Sequence, residues 1–339
     1  MGTAHPFDAT RALSDDQMAE LCSWRAGDPW AARRASVTRC RRSLLTEDGH
    51  LVILACDHPA RGVLAAGGDP LAMANRRGYL ARILRALGAD GVDGVMATPD
   101  IVEDLLVLGE RARDSTGASP LDDVLLIGCL NRGGIAGTVF ELDDRPTAFT
   151  LPGIQALGLD GAKAMVRIAD DAPESGRTLA WAAEAANQCA EAGLPLFLEP
   201  LPVRRTETGW ETVATWQALS RAAAIASALG TTSSGTWLKL PYCDAYHCVA
   251  GATTLPLLML GGSSRGEFVG LLGEIASAMA AGPNVRGAMI GRNVLFPSSG
   301  ADPRDAARAV SAVVHERLPA AEAAGLWLGV SGGGPSAEE

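Results

Sequence analysis

Residues 161–201 read GAKAMVRIADDAPESGRTLAWAAEAANQCAEAGLPLFLEPL. Two short apolar runs, Gly161–Ile168 and Leu196–Leu201, flank an Ala-rich helical stretch, Thr178–Ala192. A strand, a helix and a second strand of this length form a parallel crossover unit, because parallel strands need a long return that covers the sheet face. The same alternation extends in both directions. Further strand candidates are Leu51–Cys56, Gly94–Ala97, Val124–Leu130, Thr236–Leu240, Pro256–Leu260 and Gly287–Ile290, making eight. Helical patterns lie at Leu71–Leu87, Val213–Leu229, Arg265–Ala281 and Pro303–Leu318, with only a turn or two at Tyr246–Gly251. Eight such units predict an α/β fold, a single (β/α)8 TIM barrel with an N-terminal extension. A doubly wound open sheet is the alternative. It would favour fewer strands and a Gly-rich turn after the first, where this chain has Cys56-Asp57-His58-Pro59.

The expected boundaries are a partly helical extension at 1–45, the barrel at 46–328 and a disordered tail at 329–339, Gly/Ser/Pro/Glu-rich from Val330 on. Within the extension, Asp15–Arg25 reads as a helix and Arg33–Arg42 is Arg-rich. Residues 131–158 are long for a strand-to-helix connection and read as a lid or a subunit contact. The 339 residues, 47% hydrophobic, suit one large core, and a net charge of −10 disfavours nucleic acid as a partner. No apolar run is long enough for a membrane span, and the start lacks a signal-peptide pattern. Seven scattered cysteines without CxxC spacing read as reduced, buried thiols of a cytoplasmic protein. A homo-oligomer is expected.

The basic residues carry the sharpest signal. Only Lys163 and Lys239 are lysines among 29 basic residues, and both sit in apolar runs. Arg cannot serve where an uncharged amine is needed, because guanidinium stays protonated. Two chance surface lysines would be the plain alternative, but the flanking residues do not suit a surface. In Thr236-Trp-Leu-Lys-Leu-Pro-Tyr242, Trp237, Lys239 and Pro241 share a face. An inward lysine in such a strand is expected to have its ammonium destabilised, leaving a neutral amine of the kind that forms Schiff bases. Lys163, Met165 and Arg167 share a face of the fourth strand, so Lys163 supplies a second cation near Lys239. Its depth is left open.

Barrel chemistry gathers at the carboxyl ends of strands. Strand one ends in Asp57-His58. Asp57 is either a working carboxylate or a helix N-cap; His58 either orients it or satisfies its loop. Glu199, on the face of Phe197, points into the mouth or forms a structural ion pair with Arg167 or Lys163. Strands seven and eight run into Gly261-Gly262-Ser263 and Gly291-Arg292-Asn293. Glycines there let backbone N–H groups approach an anion, unless they are only tight-turn residues. His58 and Arg167 join these as candidate substrate or phosphate ligands.

In this order, DH, EP, LK, GG and GRN resemble the class I aldolases of the deoxyribose-phosphate, archaeal-type fructose-bisphosphate and tagatose-bisphosphate group. Asp57-His58 and Gly291-Arg292-Asn293 resemble the archaeal-type branch; Lys163, Glu199 and Lys239 together resemble the tagatose-bisphosphate branch. The whole layout, from about Leu51 to Val314, is similar to an actinobacterial barrel group met near inositol-catabolism genes. The resemblance implies reversible retro-aldol cleavage of a phosphorylated sugar or sugar acid through a Schiff base on Lys239, with no metal or cofactor. Glu199, or Tyr242 through water, would move protons; Asp57 would orient a hydroxyl or assist carbinolamine breakdown. The archaeal-type branch usually carries aromatic residues where this chain has Glu199-Pro200. Other lysine-dependent lyases or transaldolases, and a non-catalytic sugar-phosphate-binding barrel, are the rival readings.

Overall fold

The computed structural model describes residues 7–138, 140–207, 209–261, 268–297 and 301–327. Eight parallel strands close into a barrel in the order β1 (Leu51–Cys56), β2 (Gly94–Ala97), β3 (Leu125–Cys129), β4 (Gly161–Ile168), β5 (Leu196–Thr206), β7 (Thr236–Pro241), β8 (Leu257–Leu260) and β9 (Val285–Ile290), which pairs back with β1. The remaining strand, β6 (Gly209–Thr212), is antiparallel to the outer half of β5. The open-sheet alternative is thereby excluded.

Period-two side-chain alternation divides the core. Leu51, Ile53, Met96, Leu125, Ile127, Cys129, Phe197, Leu258 and Met289 fill the barrel. Their neighbours, such as Val52, Leu54, Val95, Leu126 and Leu238, face the surrounding helices. These helices start where the sequence supplies a cap: Asn75, Thr215 and Asp302 each accept a backbone N–H of the first turn with their side-chain oxygen. The cap explains one departure from expectation. The helix anticipated from Leu71 begins only at Arg76, after Asn75.

Two further differences concern segments outside the repeating units. Strand β5 runs on past Leu201 to Thr206 and folds back through β6, where Trp210 packs on a cluster including Leu201 and Val203. All seven cysteines are free thiols, but Cys22 and Cys40 are exposed, because they lie in the N-terminal extension and not in the barrel. The expected tail lies outside the described residues, as do Gly262 and Ser263.

The extension forms helices Ala9–Ala12, Asp15–Gly27 and Ala31–Thr38 and then crosses the amino-terminal end of the barrel. Arg39, almost wholly buried there, donates to the carbonyls of Val124 (2.7 Å) and Gly158 (2.8 Å) and pairs with Asp160 (2.9 Å). Arg42 pairs with Asp93 at 2.9 Å. Asp93 and Asp160 in turn accept the N–H groups of Val52 and Leu126, the second residues of β1 and β3. These carboxylates therefore satisfy backbone donors while binding the extension to the barrel.

His315 closes the same end, with Nδ1 2.9 Å from Asp48 and Nε2 3.2 Å from Asp93. Burial pulls its imidazolium pKa down, but Asp93 and Asp48 outweigh that and raise it to about 9. A folded pKa above the unfolded value of about 6.5 means stability fully present below that value and lost as pH rises through about 9. The expected outcome is a melting temperature a few degrees lower at pH 10 than at pH 6.5. His315→Gln should remove most of this dependence; an unchanged slope in that variant would show that other groups cause it.

Candidate active site

Three strand ends and one deeper strand position build the site. Lys163 lies opposite Cys129 on β3 and Phe197 on β5, inside the packed part of the barrel. Its side chain is 0% exposed. A buried ammonium needs partners, and the long aliphatic stem carries it to them. Its Nζ lies 2.8 Å from Asp57 Oδ2 and 2.9 Å from Glu199 Oε2. Lys239 enters from β7, and its Nζ is 3.0 Å from the same Glu199 Oε2. The groups thus form an unbroken chain, Lys239–Glu199–Lys163–Asp57.

The charges fix the protonation states. Burial would push the Glu199 carboxyl up, but the Lys163 and Lys239 ammonium groups overcome it and bring the pKa down to about 2. Burial likewise opposes ionisation of Asp57, and Lys163, then Lys239, hold it well below the ordinary carboxylate range. Lys163 answers in kind. Burial disfavours its charge, yet Asp57 and Glu199 raise it above the usual lysine range. Lys163 is therefore a permanent cation between two anions.

Above this chain opens a cavity of about 510 Å3. Asp57, His58, Glu199, Lys239, Tyr242, Gly261, Gly291, Arg292 and Asn293 all line it. Lys163 does not: it lies one level below, covered by the carboxylates it binds. Lys239 is the lysine that reaches the open space. The apolar face anticipated around it is only part of its surroundings. Trp237 packs beneath against Phe197, at a ring-centroid distance of 6.0 Å, while β5 supplies a carboxylate that the β7 sequence could not reveal.

Arg167 turns elsewhere. Its guanidinium pairs with Glu141 (2.8 Å) and donates to the carbonyls of Gly133 and Glu141. It ties the 131–145 segment to β4 and is absent from the cavity lining. Asn131 reinforces that tie, exchanging bonds with the backbone of Met165 at 2.7 and 2.9 Å. Asn293 donates to the Gly261 carbonyl at 3.4 Å and so links the last two strand-end turns.

Gly291 shows why glycine is needed at the end of β9. A Cβ there would lie 2.2 Å from the Ala55 carbonyl oxygen and 2.7 Å from His58 Cε1. The β9 turn is pressed directly on the β1 turn, which brings Arg292 beside His58. Among the lining residues that escaped the strand-end reading, together with Asp244 and Glu274, is Arg61, five positions past the end of β1, in the short 3-10 turn Pro59–Arg61. Its signal in the sequence was a basic residue in the same loop as Asp57-His58. Among the described residues, no group of three or more His, Cys, Asp or Glu is arranged to hold a metal ion. No described helix is long and apolar enough to cross a membrane.

Comparison with known proteins follows the same lines. No curated protein matches the chain significantly. Among solved structures, Cgl0159 from Corynebacterium glutamicum (Brevibacterium flavum) is 37% identical, with a TM-score of 0.83 over 93% of this chain and 100% of that one. An archaeal fructose-1,6-bisphosphate aldolase, whose catalytic Lys is covalently bound to the carbinolamine intermediate of its substrate, aligns with a TM-score of 0.56. Its identity is 21% over 84% of this chain and 99% of that one. A fructose-bisphosphate aldolase from Slackia heliotrinireducens aligns at 0.61, with 15% identity over 96% of this chain and 97% of that one. The last two similarities establish a shared aldolase-like barrel fold. Residues 49–314 match the Cgl0159-like family, and the chain belongs to that family.

Proposed function

We propose that this chain is a class I aldolase that cleaves and forms a carbon–carbon bond in a phosphorylated sugar or sugar acid through a Schiff base on Lys239. The observation that carries the reading is the unequal placement of the two lysines. Lys239 meets the cavity while hydrogen-bonded to Glu199, and Lys163 is sealed beneath as a fixed cation. The aldolases of similar fold support it.

In this mechanism Lys239 first gives up its ammonium proton to water, and the neutral amine then adds to a ketone or aldehyde carbon, giving a carbinolamine. Loss of water leaves an iminium. A base removes the proton of the β-hydroxyl, the Cα–Cβ bond breaks, and its electron pair passes to the iminium nitrogen, leaving an enamine and releasing an aldehyde. Protonation of the enamine carbon and hydrolysis return the amine. Glu199, or Tyr242 through water, moves the protons, a role worth typically about 10²–10⁴-fold. Asp57, held ionised by Lys163, orients the hydroxyl or assists carbinolamine breakdown. The Gly291-Arg292 turn takes the phosphate beside Gly261, with Asn293 linking the two strand ends; Gly262 and Ser263, outside the described residues, remain proposed ligands.

Borohydride reduction in the presence of a panel of phosphorylated ketoses and aldehydes, read by intact mass, tests the proposal. The expected result is a single stable adduct with at least one of them, together with release of a smaller aldehyde or ketone. An adduct without carbon–carbon cleavage would indicate another lysine-dependent lyase; no adduct at all would favour a binding barrel. Replacing Arg292 with Ala should raise KM for a phosphorylated substrate about tenfold or more and affect its unphosphorylated analogue less. Equal losses would make Arg292 a structural residue.

A further inference from the structure

Three buried nitrogens at one end of the cavity have no hydrogen-bond partner among the described residues: His58 Nδ1, Arg61 Nε and Arg292 Nε. Unsatisfied buried donors are uncommon and call for a ligand group. Neither Arg61 nor Arg292 makes an ion pair among the described residues; the Arg61 guanidinium touches the Met165 sulfur, 3.8 Å from Nη1. Two guanidinium groups therefore face one cavity without an ion-pair partner of their own among the described residues, while the carboxylates of Asp57, Glu199, Asp244 and Glu274 also line it. Of these, Asp57 is already taken by Lys163, and its Oδ1 is 3.8 Å from His58 Nδ1, too far for a hydrogen bond; Glu199 is taken by both lysines.

The backbone around Arg61 is hydrogen-bonded from inside and outside the turn. Arg61 and Val63 donate N–H to the His58 carbonyl at 3.1 and 3.2 Å, and Gly62, in the left-handed region at φ 74°, donates to that of Pro59. From outside, Arg132 donates to the Ala60 carbonyl (3.1 Å) and the Ala136 N–H to that of Arg61 (2.9 Å). The turn that carries Arg61 is thus held by backbone hydrogen bonds on both sides, which lowers the ordering cost of binding a ligand there. On the other side, the close contact of Gly291 with the β1 turn fixes Arg292.

We propose that Arg61 and Arg292, with His58 between them, clamp the phosphoryl group of the substrate, placing it against the β1 turn. Arg61 is the new member of the site and the residue that selects a phosphorylated over an uncharged substrate. The electrostatics of the cluster agree. Burial, helped by Arg292, Lys239 and Arg61 and opposed by Asp57, brings His58 down to about 4, so a neutral ring with one N–H to give sits beside the two cations. Burial and then the Arg61 charge lower Arg292, a mutual repulsion that an anion would relieve.

The inference takes its substrate from the aldolase reading, but its first test does not depend on catalysis. Isothermal calorimetry with inorganic phosphate on the full chain should show binding to the wild type. Arg61→Gln should weaken it about tenfold or more, and Arg61→Lys, which keeps the charge but loses the fork, by less. If Arg61→Gln fails to fold, as judged by near-ultraviolet circular dichroism, Arg61→Lys still decides, because its loss of affinity is expected with folding intact. No phosphate binding by the wild type, or unchanged affinity in the folded variants, would overturn the clamp. Borohydride trapping separates this failure from that of the aldolase reading. A wild-type adduct combined with phosphate affinity indifferent to Arg61 rejects the clamp alone. Phosphate binding that depends on Arg61, with no adduct from any carbonyl compound, rejects the aldolase alone.

Discussion

Lys239→Met is expected to abolish the borohydride-trapped adduct completely, whereas Lys163→Met should still form it, more slowly. Methionine keeps the length of each side chain and removes the amine. At position 239 the lost group is the nucleophile that faces the cavity. At position 163 it is the cation shared by Asp57 and Glu199 at 2.8 and 2.9 Å. Without it, both carboxylates lose the strongest of the charges that hold them ionised against burial. Glu199 should then rise from about 2, and the acid limb of the rate profile should move to higher pH. Removing one partner of a buried ion pair also destabilises by about 3–5 kcal/mol, so the Lys163 variant should melt well below the wild type while Lys239→Met loses less. Intact-mass mapping decides: an adduct on Lys163, or one that survives in Lys239→Met, would reverse the roles given to the two lysines.

Arg39→Met should destabilise the fold by about 3 kcal/mol, the lower end of the range for breaking a buried pair. Three acceptors depend on this guanidinium: the carbonyls of Val124 and Gly158, and Asp160. Asp160 retains Arg41 at 2.9 Å and the Leu126 N–H, which limits the loss. The double variant Arg39→Met, Asp160→Leu should not recover stability fully, because the Leu126 donor and the two carbonyls stay unpaired. Chemical denaturation of the single and double variants measures both. A loss below about 1 kcal/mol for Arg39→Met would mean that the Arg39 guanidinium is not what holds the extension to the barrel.

The strand-end assignments were legible because they depend on quantities written locally. Apolar runs of four to eight residues, separated by helical patterns with their caps, specify a closed parallel barrel. The alternation of side chains then points Asp57, Glu199 and Lys239 towards one end of it. The scarcity of lysine marked the two amines without any structure. Depth was not legible. Whether Lys163 or Lys239 reaches the cavity depends on how strands stagger around the barrel, and only the register setting Lys163 against Cys129 and Phe197 shows that it is covered. Partnership was hidden for the same reason. Glu199 serves two lysines from strands on either side of it, and Arg167 leaves its own face to meet Glu141, 26 residues earlier. Arg61 belongs to a turn whose course is set by contacts with residues 132 and 136. The sequence by itself determined the architecture and the kinds of groups at its mouth, since periodicity and residue chemistry are local. Tertiary structure alone decided which amine is exposed and which charges are left without partners, since both follow from long-range register and from loops packed on one another.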